Sequence, residues 1–239
     1  MIGMCGRYAT TRSAGDLSGL FEAVDETGDG LVVDHNVAPT DPVPVVRVSA
    51  EGHRALSRGR WGLVPQWSRS SAGAARMINA RAETVATSRA YAPSFARRRC
   101  LVPADGWYEW VRLADGSKQP YYMTPRDGSV LAFAGIWSRW DGPDTTLLTF
   151  SVLTTAALGE LAEVHDRMPL LLTPGRWAAW LGGGGDAAEL LVPPPMDWLA
   201  RLEIRPVGKA VGDVRNDGPE LTARVPLNRS TEPSEMTLF

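Results

Sequence analysis

The chain has little of what usually announces a function by composition. Its 239 residues include only two cysteines, Cys5 and Cys100, too few for a disulfide framework, so a reducing cytoplasm is the expected setting. Histidine is equally sparse. His35, His53 and His165 lie far apart and show no metal-ligand spacing, so neither a metal nor a small-molecule cofactor is expected. No apolar run approaches the ~20 residues that cross a bilayer. Met1-Ile2-Gly3 opens no charged-then-apolar secretion signal, and no membrane partner is expected. An excess of one charge is missing as well: the net charge is −2 and the pI is near 6.0. Composition therefore does not announce a nucleic-acid binder, although a local basic face remains open. No internal repeat and no composition shift marks a boundary, which predicts a single domain. The run Gly182 to Gly185 lacks a following Lys-Ser/Thr and reads as a flexible connector, not a phosphate cradle.

What is present is an ordinary globular mixture, 44% hydrophobic and 22% charged, long enough to bury a sizeable core. Apolar residues at helical spacing predict a helix over 16–24, with Leu17, Leu20, Phe21 and Val24 on one face. Strands are predicted over 43–48 and 53–63, the first begun by prolines that suit a sheet edge. A short helix is predicted over 84–91 and a strand over 100–103. Segments 107–113 and 118–123 flank Asp115-Gly116, a tight hairpin turn. A second hairpin joins 130–140 to 146–154, and the apolar run from Val130 to Ala134 implies a central strand. Pro174 opens a helix through Leu181, with another over 186–191. The polar tail over 230–239 is expected to fray.

Four segments carry potential chemistry. Cys5 directly follows a second methionine, Met4. A Cys5 bearing a free α-amine would be a 1,2-aminothiol, whose amine attacks an aldehyde and whose thiol then closes a thiazolidine ring; its plain alternative is a small buried residue on a strand. Asn79, in Met77-Ile78-Asn79-Ala80-Arg81-Ala82-Glu83-Thr84, either orients a reacting group or caps a helix. Glu109 interrupts an aromatic strand, Trp107-Tyr108-Glu109-Trp110. Its carboxylate must be paired, exposed or functional, a cross-strand arginine being the plain reading. His165, ahead of Asp166-Arg167-Met168-Pro169, is either catalytic or a surface cap.

Together these segments resemble the SRAP family, abasic-site processing proteins that crosslink themselves to DNA. The motifs Met4-Cys5-Gly6-Arg7, Asn36-Val37-Ala38-Pro39-Thr40 and Trp61-Gly62-Leu63-Val64-Pro65-Gln66-Trp67 occur in order. They are followed by Asn79 to Thr84, Arg99 to Trp110 and His165 to Pro169. Six motifs in order are far more specific than any one of them. The resemblance runs from Cys5 to about Glu220. It implies an α+β fold: one domain over 5–229 whose twisted antiparallel sheets form a barrel-like core with peripheral helices. It also implies that Cys5 forms a thiazolidine with the ring-opened abasic sugar. Asn79 would hold backbone and sugar, Glu109 would move protons at the Cys5 amine, and His165 would donate a proton to the opening ring. Autopeptidase activity, crosslink reversal and strand cleavage by β-elimination belong to the same expectation.

The implied partner is single-stranded DNA containing abasic sites, bound by a monomer in the cytoplasm and at the nucleoid. Arg7, Arg81 and the run Arg97-Arg98-Arg99 are the phosphate-binding candidates, with Arg98 representing the run and Arg76 and Arg60 behind them. Asn36, Pro39 and Trp67 are placed beside the lesion, Trp67 as a stacking surface, and Thr154 lines the pocket. Two departures stand out. Residues 1–4 precede the cysteine, so translation is expected to start at Met4 or the leader to be trimmed. Val211-Gly212 stands where the family carries Val-Asn. Two rivals from other classes remain: a papain-like hydrolase with a Cys5 thiolate and His165 as base, and a noncatalytic single-strand-binding module.

Overall fold

The computed structural model describes residues 5–182 and 187–227. The expected leader over 1–4 and tail over 230–239 lie outside the described residues, as do Gly183 to Gly185. In chain order the strands are β1 (Tyr8–Thr10), β2 (Val24–Asp25), β3 (Asp34–Val37), β4 (Pro42–Val48), β5 (Arg54–Trp61), β6 (Asn79–Arg81) and β7 (Arg99–Ala104). They continue as β8 (Gly106–Arg112), β9 (Lys118–Pro125), β10 (Leu131–Asp141), β11 (Thr146–Ala156), β12 (Arg167–Pro169) and β13 (Leu202–Pro206). The helices are short: α1 (Ala14–Phe21), α2 (Ala92–Arg97), α3 (Leu161–Val164), α4 (Pro174–Leu181) and α5 (Met196–Leu199).

Strands β4, β5, β11, β10 and β7 close on themselves as a barrel. All of its pairings are antiparallel except the seam, where β5 runs parallel to β11 through Arg60↔Thr149 and Trp61↔Phe150. A second sheet, ordered β13-β9-β8-β1-β3, packs against it. The chain passes from one to the other between β7 and β8. A side chain at Gly106 would sit 2.3 Å from the Met123 carbonyl oxygen, so only glycine allows that crossing. Alternation along β10 explains how the barrel is buried on both faces. Leu131 and Phe133 join the large core shared with Tyr8, Trp107 and Met123 of the second sheet. Ala132, Ala134 and Ile136 pack with Leu17 and Phe21 of α1 and Trp177 and Trp180 of α4. Leu17 and Phe21 are wholly buried, and each contributes about 1.5–3 kcal/mol of apolar transfer.

The expected α+β architecture with a barrel-like core is what forms, and the hairpins at Asp115-Gly116 and before Thr146 are both present. Four local expectations need correction. Residues 84–91 do not form a helix: they make successive turns, with Thr87 and Ser88 amides both donating to the Thr84 carbonyl. β-Branched Thr84, Val85 and Thr87 disfavour helix, and the helix starts only at Ala92, with Pro93 in its first turn. The helix predicted over 16–24 stops at Phe21, because Glu22 turns left-handed with φ 52° and Val24 enters β2. Strand β4 is not an edge. It pairs with β5 along its length and with β7 at Val46 and Arg47, while Pro42 and Pro44 lie where β7 makes no pairing. Of the helix predicted over 186–191, the described part is a 3-10 turn at Ala187–Leu190.

Candidate functional site

The antiparallel register of β1 on β8, Tyr8↔Trp107 and Ala9↔Gly106, carries the start of the described chain along β8 toward Glu109. The Cys5 backbone N–H donates to Glu109 Oε1 at 2.7 Å, and both residues are 4% exposed. Glu109 thus meets a backbone nitrogen, and its cross-strand neighbour on β9 is Tyr121, not an arginine. Burial pushes the Glu109 carboxyl above its ordinary value, against the lowering effects of the Cys5 hydrogen bond and nearby His165. Burial and the Glu109 charge likewise push the Cys5 thiol well up, opposed by Arg167. Cys5 itself is left-handed, φ 45°, an uncommon state for a residue with a Cβ.

Asn79 arrives from the barrel side. Strand β6 runs parallel to β11, pairing Asn79 with Val152 and Arg81 with Thr154. Asn79 Nδ2 donates to the Cys5 carbonyl at 3.4 Å, and Tyr91 Oη braces the Asn79 carbonyl at 3.0 Å. Thr154 is wholly buried, and its carbonyl accepts from the Ala82 amide and from Arg167. His165 follows α3. Two groups compete for its Nδ1: the Arg167 amide at 3.0 Å and Asp166 Oδ1 at 2.9 Å. When the Arg167 amide donates to Nδ1, a neutral ring carries its hydrogen on Nε2; when Nδ1 carries a hydrogen, it donates to the exposed Asp166 carboxylate instead.

Arg167 and Glu83 belong to the site although the sequence did not single them out. Arg167 meets Glu83 through both terminal nitrogens, at 2.6 and 2.9 Å, and reaches the Thr154 carbonyl at 2.6 Å. The two residues flank Asn79 and His165 in sequence, but no sequence signal pairs them across 84 positions.

The remaining candidates divide by location. Arg7 donates to Asn36 Oδ1 at 2.8 Å and to the Val211 carbonyl at 3.0 Å. Buried Asn36 donates in turn to the carbonyls of Asp213 and Asn216. This pair clamps β1 and β3 to the segment containing Gly212, where a Cβ would meet open space. Pro39 lies in a tight turn closed by Asp41 N–H to the Ala38 carbonyl, with Thr40 at φ 81°. Trp67 is 61% exposed, with Arg89 over its ring at 5.5 Å, and borders a 260 Å³ hollow that also touches Arg76 and Met77. Trp61, Trp107, Trp140, Trp177 and Trp180 are core. Arg81 is exposed.

Arg98 stands apart: its carbonyl accepts from the Trp137 amide on β10. From β7 to β6 are three strand spacings, about 14 Å. Arg99 is not on a solvated face at all. It is 3% exposed, donates to the Trp180 and Phe95 carbonyls, and lies over the Trp180 ring. Cys100 is fully buried in the barrel wall, its thiol pushed up by desolvation. Away from the site, Glu26, Glu51 and His53 bring ligand atoms within 4.8 Å of one another. Glu26 is ion-paired there with Arg47 and lies 3.2 Å from His53 Nε2.

Comparison with known proteins places this geometry. A family model described as SOS response associated peptidase (SRAP) matches residues 4–214. The abasic site processing protein YedK of Escherichia coli is 33% identical over 225 residues, covering 91% of this chain and 98% of that protein. The abasic site processing protein YoqW of Bacillus subtilis is 31% identical over 224 residues, with the same coverages. HMCES of Xenopus tropicalis, also named an abasic site processing protein, is 28% identical over 278 residues, covering 97% of this chain and 81% of that protein. A crystal structure of a Bacteroides thetaiotaomicron protein superposes with TM-score 0.79 at 25% identity, covering 92% of this chain and all of that one.

Proposed function

This chain belongs to the SOS response associated peptidase family, and from that membership we propose that it is an abasic-site processing protein whose Cys5 captures the damaged sugar covalently. The observation that carries the reading is the 2.7 Å contact between the Cys5 nitrogen and Glu109. A reacting amine needs a partner that takes and returns protons, and a carboxyl raised by burial is a better proton carrier than one at its ordinary value.

In the mature protein, by this reading, Cys5 is first and its nitrogen is an α-amine. Such an amine has a pKa of ~7.7–8.0 against ~10.4 for lysine, so more of it is neutral and nucleophilic. It adds to the C1′ aldehyde of a ring-opened abasic site, and loss of water leaves an imine. The thiol then adds across the C=N bond: sulfur bonds to carbon, its proton goes to nitrogen, and one water is the only by-product. Ring closure is intramolecular, where effective molarities reach ~10⁵–10⁸ M. The raised thiol pKa suits this order, because the thiol attacks an activated imine carbon and need not stand as a free thiolate.

Asn79 fixes the Cys5 carbonyl, and a protonated His165 donates its Nε2 proton to the opening ring oxygen, leaving the neutral imidazole. Glu109 can equally assist removal of residues 1–4, the autopeptidase step, and His165 can support reversal or β-elimination. The strand bound is single-stranded, held by Arg7, Arg81 and Thr154's surroundings, with Trp67 and Pro39 against the bases. The protein acts as a monomer, in the cytoplasm and at the nucleoid. A papain-like thiolate–imidazolium pair fits poorly. Such chemistry needs a depressed thiol pKa, and burial and Glu109 push Cys5 the other way.

The test is incubation with an abasic single-stranded oligonucleotide, followed by a denaturing gel and intact-mass analysis. A shifted band retained by Cys5→Ala, or a mature protein that keeps Met1, would overturn the mechanism. Loss of the band in Cys5→Ala, with the added mass on a Cys-first protein, is the expected result.

A further inference from the structure

The barrel-side wall of the site contains a carboxylate placed where a strand-binding surface should avoid one. Glu83 follows β6 and Arg81, and its two oxygens grip both terminal nitrogens of Arg167 at 2.6 and 2.9 Å. Arg167 is near enough to Cys5 to act on its thiol electrostatically. Hydrogen bonding from Arg167, with further help from the Arg81 charge, holds the Glu83 carboxyl below its usual range. The carboxylate therefore stands ionised between the two cations of this wall.

The two partners are held unequally. The Arg167 side chain is 11% exposed and Glu83 is 50% exposed. The guanidinium is pinned from behind by the Thr154 carbonyl at 2.6 Å and Thr154 Oγ1 at 3.3 Å, on a strand in the barrel wall. Glu83 sits on the run of turns after β6, with solvent around its carboxylate. The fixed member is the cation and the exchangeable member is the anion. A carboxylate gripping a guanidinium fork end-on has the geometry of a phosphodiester's two free oxygens.

We infer that Glu83 is an internal phosphate mimic, a positioning residue that occupies Arg167 until a backbone phosphate of the bound strand displaces it. This rests on the strand-binding reading above and adds a specificity device to it. Each intact strand must compete with a tethered anion for Arg167. An abasic strand gains covalent capture at Cys5 to offset that competition, and an intact strand does not. The consequence is weak retention on undamaged DNA without loss of trapping.

The experiment measures binding of an intact oligo(dT) by fluorescence anisotropy across a salt series, for the unaltered protein, Glu83→Gln, Glu83→Asp, Arg167→Gln and the Glu83→Gln/Arg167→Gln double variant. Glu83→Gln is expected to bind roughly tenfold tighter at low salt. Its log–log salt slope should steepen by about 0.7, one further phosphate contact on a single strand. Glu83→Asp, too short to hold both nitrogens, should fall between. The double variant should match Arg167→Gln alone. Equal or weaker binding by Glu83→Gln, at an unchanged melting temperature, overturns the inference. A gain that persists without Arg167 also overturns it, since that is simple repulsion of the strand by Glu83. If the unaltered protein crosslinks abasic DNA while Glu83→Gln changes nothing, the inference fails alone. If the unaltered protein binds no strand, both readings fall.

Discussion

Cys5 and Glu109 reach the site from the five-stranded sheet, whereas Asn79, Arg81, Thr154 and Arg167 reach it from strands attached to the barrel. The first wall is dry and acidic. Its nitrogen and carboxyl are buried together, and burial shifts both the thiol and the carboxyl upward. The second wall is cationic, with a half-exposed carboxylate as counterion. On the reading proposed above, the reacting nitrogen and its proton carrier sit on one sheet while Arg81 and Arg167 sit on strands attached to the barrel, so the two contributions should be removable separately. Asn79 links the two walls, its amide reaching the Cys5 carbonyl across the gap at 3.4 Å.

The strongest way to test that separation is Glu109→Gln. Crosslinking should slow by about 10²–10⁴-fold, the usual worth of a positioned proton carrier, while affinity for an intact strand stays the same. A time course on denaturing gels, read beside anisotropy, checks it; parallel loss of affinity would mean the walls are not independent. Trp67→Ala should act the opposite way. It should weaken strand binding by about 1–3 kcal/mol, the range for a stacked base, with no change in melting temperature because the ring is exposed. Asn79→Ala should touch both functions, each by up to about tenfold, since a single hydrogen bond is worth roughly 0.5–1.5 kcal/mol.

A smaller effect concerns stability against pH. The Glu109 carboxyl is raised in the folded protein, so between its ordinary value and the raised one the folded state holds a proton that the unfolded chain has lost. Stability contributed by this group is therefore present at lower pH and declines as pH rises through that window. Melting temperatures measured as pH is raised from the ordinary carboxylate value, about 4.3, should show the decline, and Glu109→Gln should flatten it. Smallest of all is Arg98→Ala. Three strands from Asn79, it should change short-oligonucleotide affinity by less than about twofold, since charge effects fade over a ~8–10 Å screening length.

Much of the framework was legible in the residues. Asp115-Gly116 marks a hairpin because Gly116 takes φ 80°, and the apolar run into β10 marks a strand covered on both faces. Glu109 stood out because a carboxylate amid Trp107, Tyr108 and Trp110 demands a partner. What was not legible was long-range. Nothing in the chain says that Arg167 meets Glu83, or that β5 lies parallel on β11. The arginine run misled for a physical reason: alternation along β7 turns Arg99 inward, where ring faces and carbonyls of Phe95 and Trp180 receive its charge. The turns over 84–91 misled because their periodicity looks helical while their β-branched and hydroxyl residues favour turns.

The seam between β5 and β11 carries a consequence for the newborn chain. Cys5 is made well before Thr149 and Phe150, and at about 5–20 residues per second several seconds pass before the barrel can shut. Asn79 is laid down on that same late strand, and Arg167 is made later still. Until then Cys5 lacks the Asn79 amide and the Arg167 charge that the closed fold brings up to it, so the two sides of the site can meet only when the ring of strands is complete.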